Sequence, residues 1–173
     1  MNYFSSDFKL GILGGGQLGK MLLFDTRKFD IQTYVLDPSD EAPCKIACDQ
    51  FFKGDLMDFE TVYNFGKKVD VLTFEIELVN LDALVKLEDE GLKVYPSPKT
   101  LKLIQNKGIQ KDFYTQHTIP TANYKRFDNL KSLIVDILDS KTKLPFVWKC
   151  TEFGYDGNGV KVIRQISDLD NLA

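Results

Sequence analysis

Short apolar runs alternate with amphipathic stretches along the first hundred or so residues of the chain. The apolar runs predict five strands, at 8–13, 31–36, 49–52, 69–74 and 92–95. Between them, apolar positions recur at helical spacing and predict helices at 17–28, 58–68 and 81–90. Strands that alternate with helices are typical of a parallel sheet covered on both faces, so this region predicts an α/β domain.

The first predicted helix carries several large apolar side chains. We expect Leu18, Met21 and Leu22 on its buried side, together with Phe24. In an α/β domain an amphipathic helix turns its apolar stripe toward the sheet, so this stripe is predicted to be part of the core.

The pattern changes after the prolines at 96 and 98. A polar helix is predicted over 99–116 with an interruption at Gly108, another helix over 130–138, and strands at 144–149 and 160–163. We therefore expect one domain at 1–106 and an incomplete second domain at 107–173, because about 65 residues with two or three strands make a marginal core. The last seven residues resemble the first turn of a helix, so we expect the chain to be an N-terminal fragment.

The composition restricts the possible partners. The chain is 43% apolar and 27% charged with a net charge of −3, which is ordinary for a globular protein and gives no basic excess for nucleic acid. No apolar run approaches the roughly 18 residues that span a bilayer, and the N-terminus lacks a cationic signal sequence. We expect no membrane partner and a cytoplasmic location. With a single histidine, His117, the three cysteines are expected to be structural thiols and not zinc ligands.

A glycine-rich loop near the end of the chain is the strongest candidate site. Gly154, Gly157 and Gly159 allow backbone N–H groups to converge on an anion such as phosphate. The apolar run before the loop predicts a short buried strand that ends at Lys149, and a partly desolvated ammonium needs an anion to stay charged. Loop and lysine together predict a nucleotide-phosphate site. Asp156, inside the loop, suits either a turn or a catalytic group.

A second glycine motif lies between the first predicted strand and the first helix. Residues 14–19 fit G-x-G-x-x-G, and Asp37 follows about twenty residues later. One interpretation is a dinucleotide site with Asp37 on the ribose hydroxyls. The other is a tight turn that leaves an anion site at the helix start. The motif alone leaves both open, and the second phosphate loop at 154–159 argues against the dinucleotide.

Two carboxylates, Glu75 and Glu77, follow the fourth predicted strand. Ligands of open α/β sheets bind beyond the carboxyl ends of the strands, so these side chains are candidates to recognise substrate hydroxyl or amine groups. Alternation sends both to the same side if the strand continues. The alternative is that they only stabilise the start of the next helix. Lys107 lies on a polar helix, where an isolated lysine is more typical of solvent exposure.

The motifs occur in an order that resembles a known family. The sequence is similar to the N-terminal part of 5-(carboxyamino)imidazole ribonucleotide synthetases, the ATPase subunit of phosphoribosylaminoimidazole carboxylase, in the ATP-grasp superfamily. The resemblance covers nearly all of the chain and rests on ILGGGQLGKML at 12–22, TFEIE at 73–77, PSP at 96–98, IPT at 119–121 and GYDGNG at 154–159. It implies a Rossmann-like, parallel-sheet pre-ATP-grasp domain, followed by the truncated start of an ATP-grasp domain with its small lid subdomain.

The resemblance also implies a reaction. The family members are ligases of de novo purine biosynthesis that carboxylate 5-aminoimidazole ribonucleotide. ATP phosphorylates bicarbonate to carboxyphosphate, and the ribonucleotide amine takes up the carboxyl group or released carbon dioxide. Mg²⁺ accompanies ATP, and its ligands are expected beyond residue 173. The intact protein is expected to be a homodimer, whereas the 173-residue fragment is not expected to turn over.

For ATP, the resemblance assigns Lys107 and Lys149 to the phosphates. It implies a lid loop over the nucleotide made of Gly154, Tyr155, Asp156, Gly157, Asn158, Gly159 and Val160. Within that loop, Tyr155 and Asp156 are the expected catalytic residues, which approach the amine and carboxyphosphate.

For the ribonucleotide, the resemblance assigns the turn residues Gly16, Gln17 and Leu18, with Glu75 or Glu77 nearby. Which of the two carboxylates makes the contact stays open at this point.

Three positions depart from the family pattern. Asn106 stands where the family usually has Asp, and Leu78 stands where His often follows the acidic pair. Asn158 replaces the usual Lys or Arg of the lid loop. The last change removes a positive charge above the triphosphate, while the backbone of the loop keeps its capacity to bind phosphate.

The sequence also allows three alternative functions. One is a different ATP-grasp enzyme, a formate-dependent glycinamide ribonucleotide transformylase or a biotin carboxylase. Another is an NAD(P)-dependent oxidoreductase, which would use residues 14–19 and Asp37. The third is a nucleotide-binding regulatory module without catalysis.

Overall fold

The computed structural model describes residue 3, residues 5–152, residue 154 and residues 159–170. It divides the chain into two units, Met1–Lys102 and Leu103–Ala173. Among the described residues, no helix has the length and apolar character needed to cross a membrane.

The first unit is built on a parallel sheet of five strands in the order β3-β2-β1-β4-β5. The strands are β1 Lys9–Leu13, β2 Gln32–Asp37, β3 Gln50–Lys53, β4 Val71–Phe74 and β5 Lys93–Tyr95. Central strand β1 pairs with β2 and β4, and its residues Gly11 to Leu13 are fully covered. This confirms the prediction of an α/β domain with a parallel sheet, because an apolar central strand is stable only when both faces are covered.

Helices cover the two faces of this sheet. They are α1 Gln17–Thr26, α2 Phe59–Gly66, α3 Leu81–Asp89 and α4 Pro98–Gln105, with short 3-10 helices at Arg27–Phe29 and Pro43–Ile46. Asp58 begins α2 by accepting the Thr61 N–H, and Asn80 begins α3 by accepting the Ala83 N–H. One core cluster contains Leu72 and Leu84, and the other contains Ile12 and Leu23. The sheet is therefore packed on both sides, and the carboxyl ends of its strands are left for loops.

The predicted buried stripe of α1 is wrong. Leu18, Met21 and Phe24 are 65%, 63% and 64% exposed, and Leu22 is also exposed. The face of α1 that meets the sheet is formed by Gly19, Leu23 and Thr26. Gly19 sets this orientation, because a Cβ atom there would lie 3.0 Å from Cys44 Sγ and 3.1 Å from the Gly14 carbonyl oxygen. A glycine contact with the backbone carries no hydrophobic signal, so the sequence pattern favoured the wrong face.

A surface network joins α2 to α3. The Glu90 carboxylate accepts hydrogen bonds from the Tyr63 hydroxyl at 2.9 Å and the Lys67 ammonium at 3.1 Å, and Lys86 lies 3.1 Å away. The Tyr63 hydrogen bond, followed by those from the two lysines, lowers the pKa of Glu90 from 4.5 to about 2. The charged carboxylate is therefore favoured in the folded state.

This network predicts a pH dependence of stability. Because the pKa of Glu90 is lower in the folded state, its contribution is complete above pH 4.5 and is lost as the pH falls toward 2. Glu90→Gln is expected to weaken the dependence of the melting temperature on pH over this range. Glu88→Gln removes the same charge two residues earlier, in the last turn of α3, and is the control. Equal pH profiles for wild type and Glu90→Gln would contradict the prediction.

The second unit contains a small antiparallel hairpin and two helices. Its elements are α5 Lys107–Gln116, α6 Leu130–Leu138, β6 Phe146–Lys149, β7 Val160–Ile163 and a 3-10 helix at Ile166–Leu169. Leu133, Ile137, Ile163 and Leu169 form its core. The predicted helix over 99–116 is interrupted at Asn106 and not at Gly108, because the Asn106 side chain accepts the Ile109 N–H and begins a new helix.

The prediction that the strand ending at Lys149 is buried is also wrong. In β6, Phe146 and Trp148 are partly buried, whereas Val147 and Lys149 are exposed. A two-stranded antiparallel sheet packs on one face only, so its residues alternate between core and solvent. Lys149 therefore stands on the open face of the hairpin.

Candidate functional site

The first candidate site is the turn between β1 and α1, at the carboxyl end of the sheet. Gly14, with a φ of +92°, reverses the chain after β1, and its N–H donates to the Leu36 carbonyl at 2.9 Å. The next two amides donate to carboxylates: Gly15 N–H to Asp37 at 2.7 Å and Gly16 N–H to Glu75 at 2.8 Å. The turn is thus held by acidic side chains from β2 and from the segment after β4.

The Asp37 carboxylate accepts hydrogen bonds from two backbone N–H groups. Besides the Gly15 N–H, it accepts the Ser39 N–H at 2.7 Å. The dinucleotide interpretation places Asp37 on ribose hydroxyls, but here its two oxygens fix the turn and the loop after β2. This arrangement favours the tight-turn interpretation of the motif.

Glu75 is hydrogen-bonded both to β1 and to the glycine turn. Strand β4 ends at Phe74, so the condition for Glu75 and Glu77 to share one side is not met. The Glu75 N–H donates to the Leu13 carbonyl at 3.0 Å, and its carboxylate reaches the Gly16 N–H. The structure therefore brings Glu75 together with the predicted turn residue Gly16. Gln17 and Leu18 are exposed at the start of α1, where the first-turn N–H groups point out of the helix.

Cys44 lies beneath this turn. Its N–H donates to the Gly15 carbonyl at 3.0 Å, and its thiol packs against Gly19. Burial raises the pKa of the Cys44 thiol to about 11, so it is neutral at physiological pH. The three cysteines of the chain are free thiols, and Cys44 supports the turn by packing.

The second candidate site lies at the open end of the hairpin. Lys149 pairs with Val160 in the antiparallel register, and the Cys150 N–H donates to the Gly159 carbonyl at 2.8 Å. Gly159 has a φ of +70°, and a Cβ atom there would lie 3.0 Å from Cys150 Sγ. The glycine at this position therefore lets the chain enter β7 close to Cys150. Tyr155, Asp156, Gly157 and Asn158 lie outside the described residues.

The start of α5 is tied to the segment that follows Lys149. The Lys107 N–H donates to the Thr151 carbonyl at 2.7 Å, and Asn106 Nδ2 donates to Glu152 Oε1 at 2.7 Å. The Lys107 ammonium lies 3.3 Å from the Ile104 carbonyl. The structure thus brings the Lys107 backbone within two residues of Lys149, through contacts that sequence reasoning missed. The only sequence signal was an asparagine directly before a helix start.

A pair of substitutions tests the Asn106–Glu152 contact. Asn106→Asp keeps an oxygen for the helix start but loses the donor to Glu152 and places two carboxylates together. We expect the free energy of unfolding to fall by about 1 kcal/mol, the scale of one hydrogen bond. Adding Glu152→Gln supplies a new donor and should recover most of the loss in urea denaturation. A double variant no more stable than Asn106→Asp would contradict the contact.

Comparisons with known proteins give consistent results. The family model of the ribonucleotide synthetase preATP-grasp domain matches residues 8–105. The phosphoribosylaminoimidazole carboxylase of Ogataea methanolica is 35% identical over 161 residues, which are 91% of this chain and 30% of that protein. The crystal structure of N5-carboxyaminoimidazole ribonucleotide synthetase from Thermotoga maritima superposes with a TM-score of 0.81 at 35% identity, covering 95% of this chain and 43% of that one.

A fungal structure contains ligands. The N5-carboxyaminoimidazole synthase of Aspergillus clavatus, crystallised with ADP and 5-aminoimidazole ribonucleotide, superposes with a TM-score of 0.83 at 30% identity. The match covers 99% of this chain and 44% of the fungal chain. The chain therefore spans less than half the length of these relatives.

Proposed function

The chain belongs to the ribonucleotide synthetase preATP-grasp family, and from this membership we propose that it is part of an enzyme that carboxylates 5-aminoimidazole ribonucleotide. In this proposal ATP phosphorylates bicarbonate to carboxyphosphate with formation of ADP. The ribonucleotide amine then takes up the carboxyl group, or carbon dioxide released from it, as phosphate leaves. The observation that carries the proposal is the similarity, along 99% of this chain, to a fungal synthase crystallised with ADP and the ribonucleotide. The complete protein is proposed to be a cytoplasmic homodimer.

In the first unit, the proposed ribonucleotide site is the turn of Gly16, Gln17 and Leu18. The start of α1 favours an anion, because N–H groups and the positive end of the helix dipole converge there. Glu75 lies against the same turn and is the proposed hydroxyl or amine ligand, since a carboxylate accepts the hydrogen bonds that hydroxyl and amine groups donate. These features suit a phosphorylated ribose.

In the second unit, Lys149 and Lys107 are the proposed ATP-phosphate ligands. Lys149 stands on the open hairpin face next to Val147, Val160 and Val162, which are 53%, 45% and 44% exposed. One ammonium within an exposed apolar face suits a nucleotide, which needs charge for its phosphates and apolar contact for its base. The lid loop at 154–160 and its catalytic residues Tyr155 and Asp156 remain part of the proposal.

Mg²⁺ is not assigned to any described residue. Within the described ranges, no group of three His, Cys, Asp or Glu side chains could hold a metal ion. The described residues proposed to contact ATP are Lys149 and Lys107, which would bind its phosphates and neutralise their charge.

The test is ribonucleotide-dependent ATP hydrolysis by the complete gene product that contains this chain. We expect ADP to form only when 5-aminoimidazole ribonucleotide and bicarbonate are both present, together with incorporation of labelled bicarbonate. Glycinamide ribonucleotide with formate is the matched substrate pair for the alternative ATP-grasp enzyme, and an NADH fluorescence titration tests the oxidoreductase. ADP release with formate, or tight NADH binding, would overturn the proposal.

A further inference from the structure

Two of the free thiols lie close together, on the segment that packs beneath the glycine turn at residues 14–19. The Cys48 N–H donates to the Cys44 carbonyl at 3.0 Å, so these two residues begin and end one helical turn. Cys44 is fully buried in a core cluster of the first unit, and the partly exposed Cys48 packs against the same cluster. The two thiols are therefore neighbours in the folded chain.

The spacing of the two residues is close to that of a disulfide. Residues four apart on a helical turn have Cβ atoms about 5–6 Å apart, whereas a disulfide joins Cβ atoms about 3.5–4.5 Å apart. Closing the bond therefore requires a local shift of roughly 1–2 Å. The backbone allows such a shift, because the 3-10 helix ends at Ile46 and Ala47 already has a non-helical φ of −123°.

Neither thiol has a strong hydrogen bond to lose. The Cys44 thiol lies 3.7 Å from the Gly16 carbonyl, and the Cys48 thiol lies 3.9 Å from the Lys45 carbonyl. Thiols are weak donors, so a disulfide sacrifices little hydrogen bonding. The Cys44 sulfur does pack closely against the glycine turn, since a Cβ atom at Gly19 would lie 3.0 Å from it. Moving this sulfur toward Cys48 therefore removes an atom that supports the turn.

We propose that Cys44 and Cys48 form a reversible disulfide that acts as a redox-sensitive device: the bond draws the Cys44 sulfur away from the glycine turn and changes its packing. The oxidant is a low-molecular-weight disulfide such as oxidised glutathione. The partly exposed Cys48 attacks it as the thiolate, forms a mixed disulfide and releases one glutathione thiol. The Cys44 thiolate then attacks the Cys48 sulfur and releases the second glutathione thiol. The two protons lost by the protein thiols end on the two glutathione molecules.

The test incubates the 173-residue chain with oxidised glutathione at about pH 8.5, because burial raises the pKa of both thiols and the thiolate is the reacting form. The remaining thiols are alkylated, and the chain is unfolded and digested with trypsin. Trypsin cleaves after Lys45, which lies between the two cysteines. The disulfide therefore appears in mass spectrometry as peptides 29–45 and 46–53 joined together, two hydrogens lighter than the sum of the reduced peptides.

We expect the joined peptides to be the main product in the native wild type, and dithiothreitol to separate them. Cys48→Ser should give no joined peptides. Cys150→Ser removes the third thiol and should behave like wild type. In the ¹⁵N-glycine-labelled chain, the amide signals of Gly16 and Gly19 should shift on oxidation, whereas that of Gly91, after α3, should stay in place.

A native chain that stays reduced, or that keeps a glutathione adduct on Cys48 without joined peptides, would overturn the inference. Joined peptides that form only after unfolding in urea would also overturn it, because the folded chain would then not bring the thiols together. Unchanged Gly16 and Gly19 signals in the oxidised chain would contradict the effect on the turn. None of these measurements involves ATP or the ribonucleotide, so the proposed function stands or falls separately.

Discussion

Replacing Gly14 by alanine is expected to lower the free energy of unfolding of the chain by about 2–6 kcal/mol. Two costs add at this position. Gly14 has a φ of +92°, which side-chain-bearing residues rarely adopt, and such strain costs about 1–3 kcal/mol. The new methyl group would also lie 2.8 Å from Glu75 Cγ and 3.0 Å from Ile76 Cγ2, and overpacking of this kind costs about 1–3 kcal/mol. Urea denaturation measures the sum.

Gly91→Ala separates the two costs. Gly91 ends the turn after α3 with a φ of +96°, close to that of Gly14, but a Cβ atom there would have nothing within 4 Å. We therefore expect Gly91→Ala to show the backbone strain without the overlap, and the difference between the two variants measures the overlap with Glu75 and Ile76. Equal losses of stability would mean that the glycine turn does not hold Glu75 as tightly as the structure shows.

The fold of the first unit could be predicted because its signals are local. Apolar runs alternate with helical patterns, and Asp58 and Asn80 stand directly before the helices they begin. The partner of Gly16 could not be predicted in the same way, because Glu75 is 59 residues away in the sequence. Only the sheet order, which places β4 beside β1, brings the two together.

In the second unit, the burial of a strand could not be predicted from the sequence either. The strand ending at Lys149 is apolar in sequence, and an apolar run alone does not distinguish a strand covered on both faces from one covered on a single face. The antiparallel pairing with β7 settles this, because it leaves Val147, Lys149, Val160 and Val162 on an open face. The strand that ends at Lys149 could be predicted from the apolar run, whereas the exposure of Lys149 depended on a partner strand.

Lys149→Met in the complete gene product is expected to lower kcat/KM for ATP on the order of 100-fold, the scale of losing one group that stabilises transferring charge. Stability should change little, because Lys149 is exposed and methionine keeps the unbranched stem. Steady-state kinetics with varied ATP, together with thermal unfolding, measure the two effects.

Lys161→Met, in the same hairpin, is the control variant. It is expected to lower stability and to leave activity unchanged, the reverse of Lys149→Met. Lys161 pairs with Trp148, so its side chain is on the packed face, and its ammonium donates to the Asp168 carbonyl at 2.6 Å. Removing it should lower the free energy of unfolding by about 1 kcal/mol and leave the ATP kinetics near wild type. If both variants reduced activity equally, the loss would reflect the net charge of the hairpin, and the assignment of Lys149 to the ATP phosphates would be wrong. A large effect at Lys149 alone requires a ligand on the open face, since both substitutions remove one positive charge from neighbouring strands.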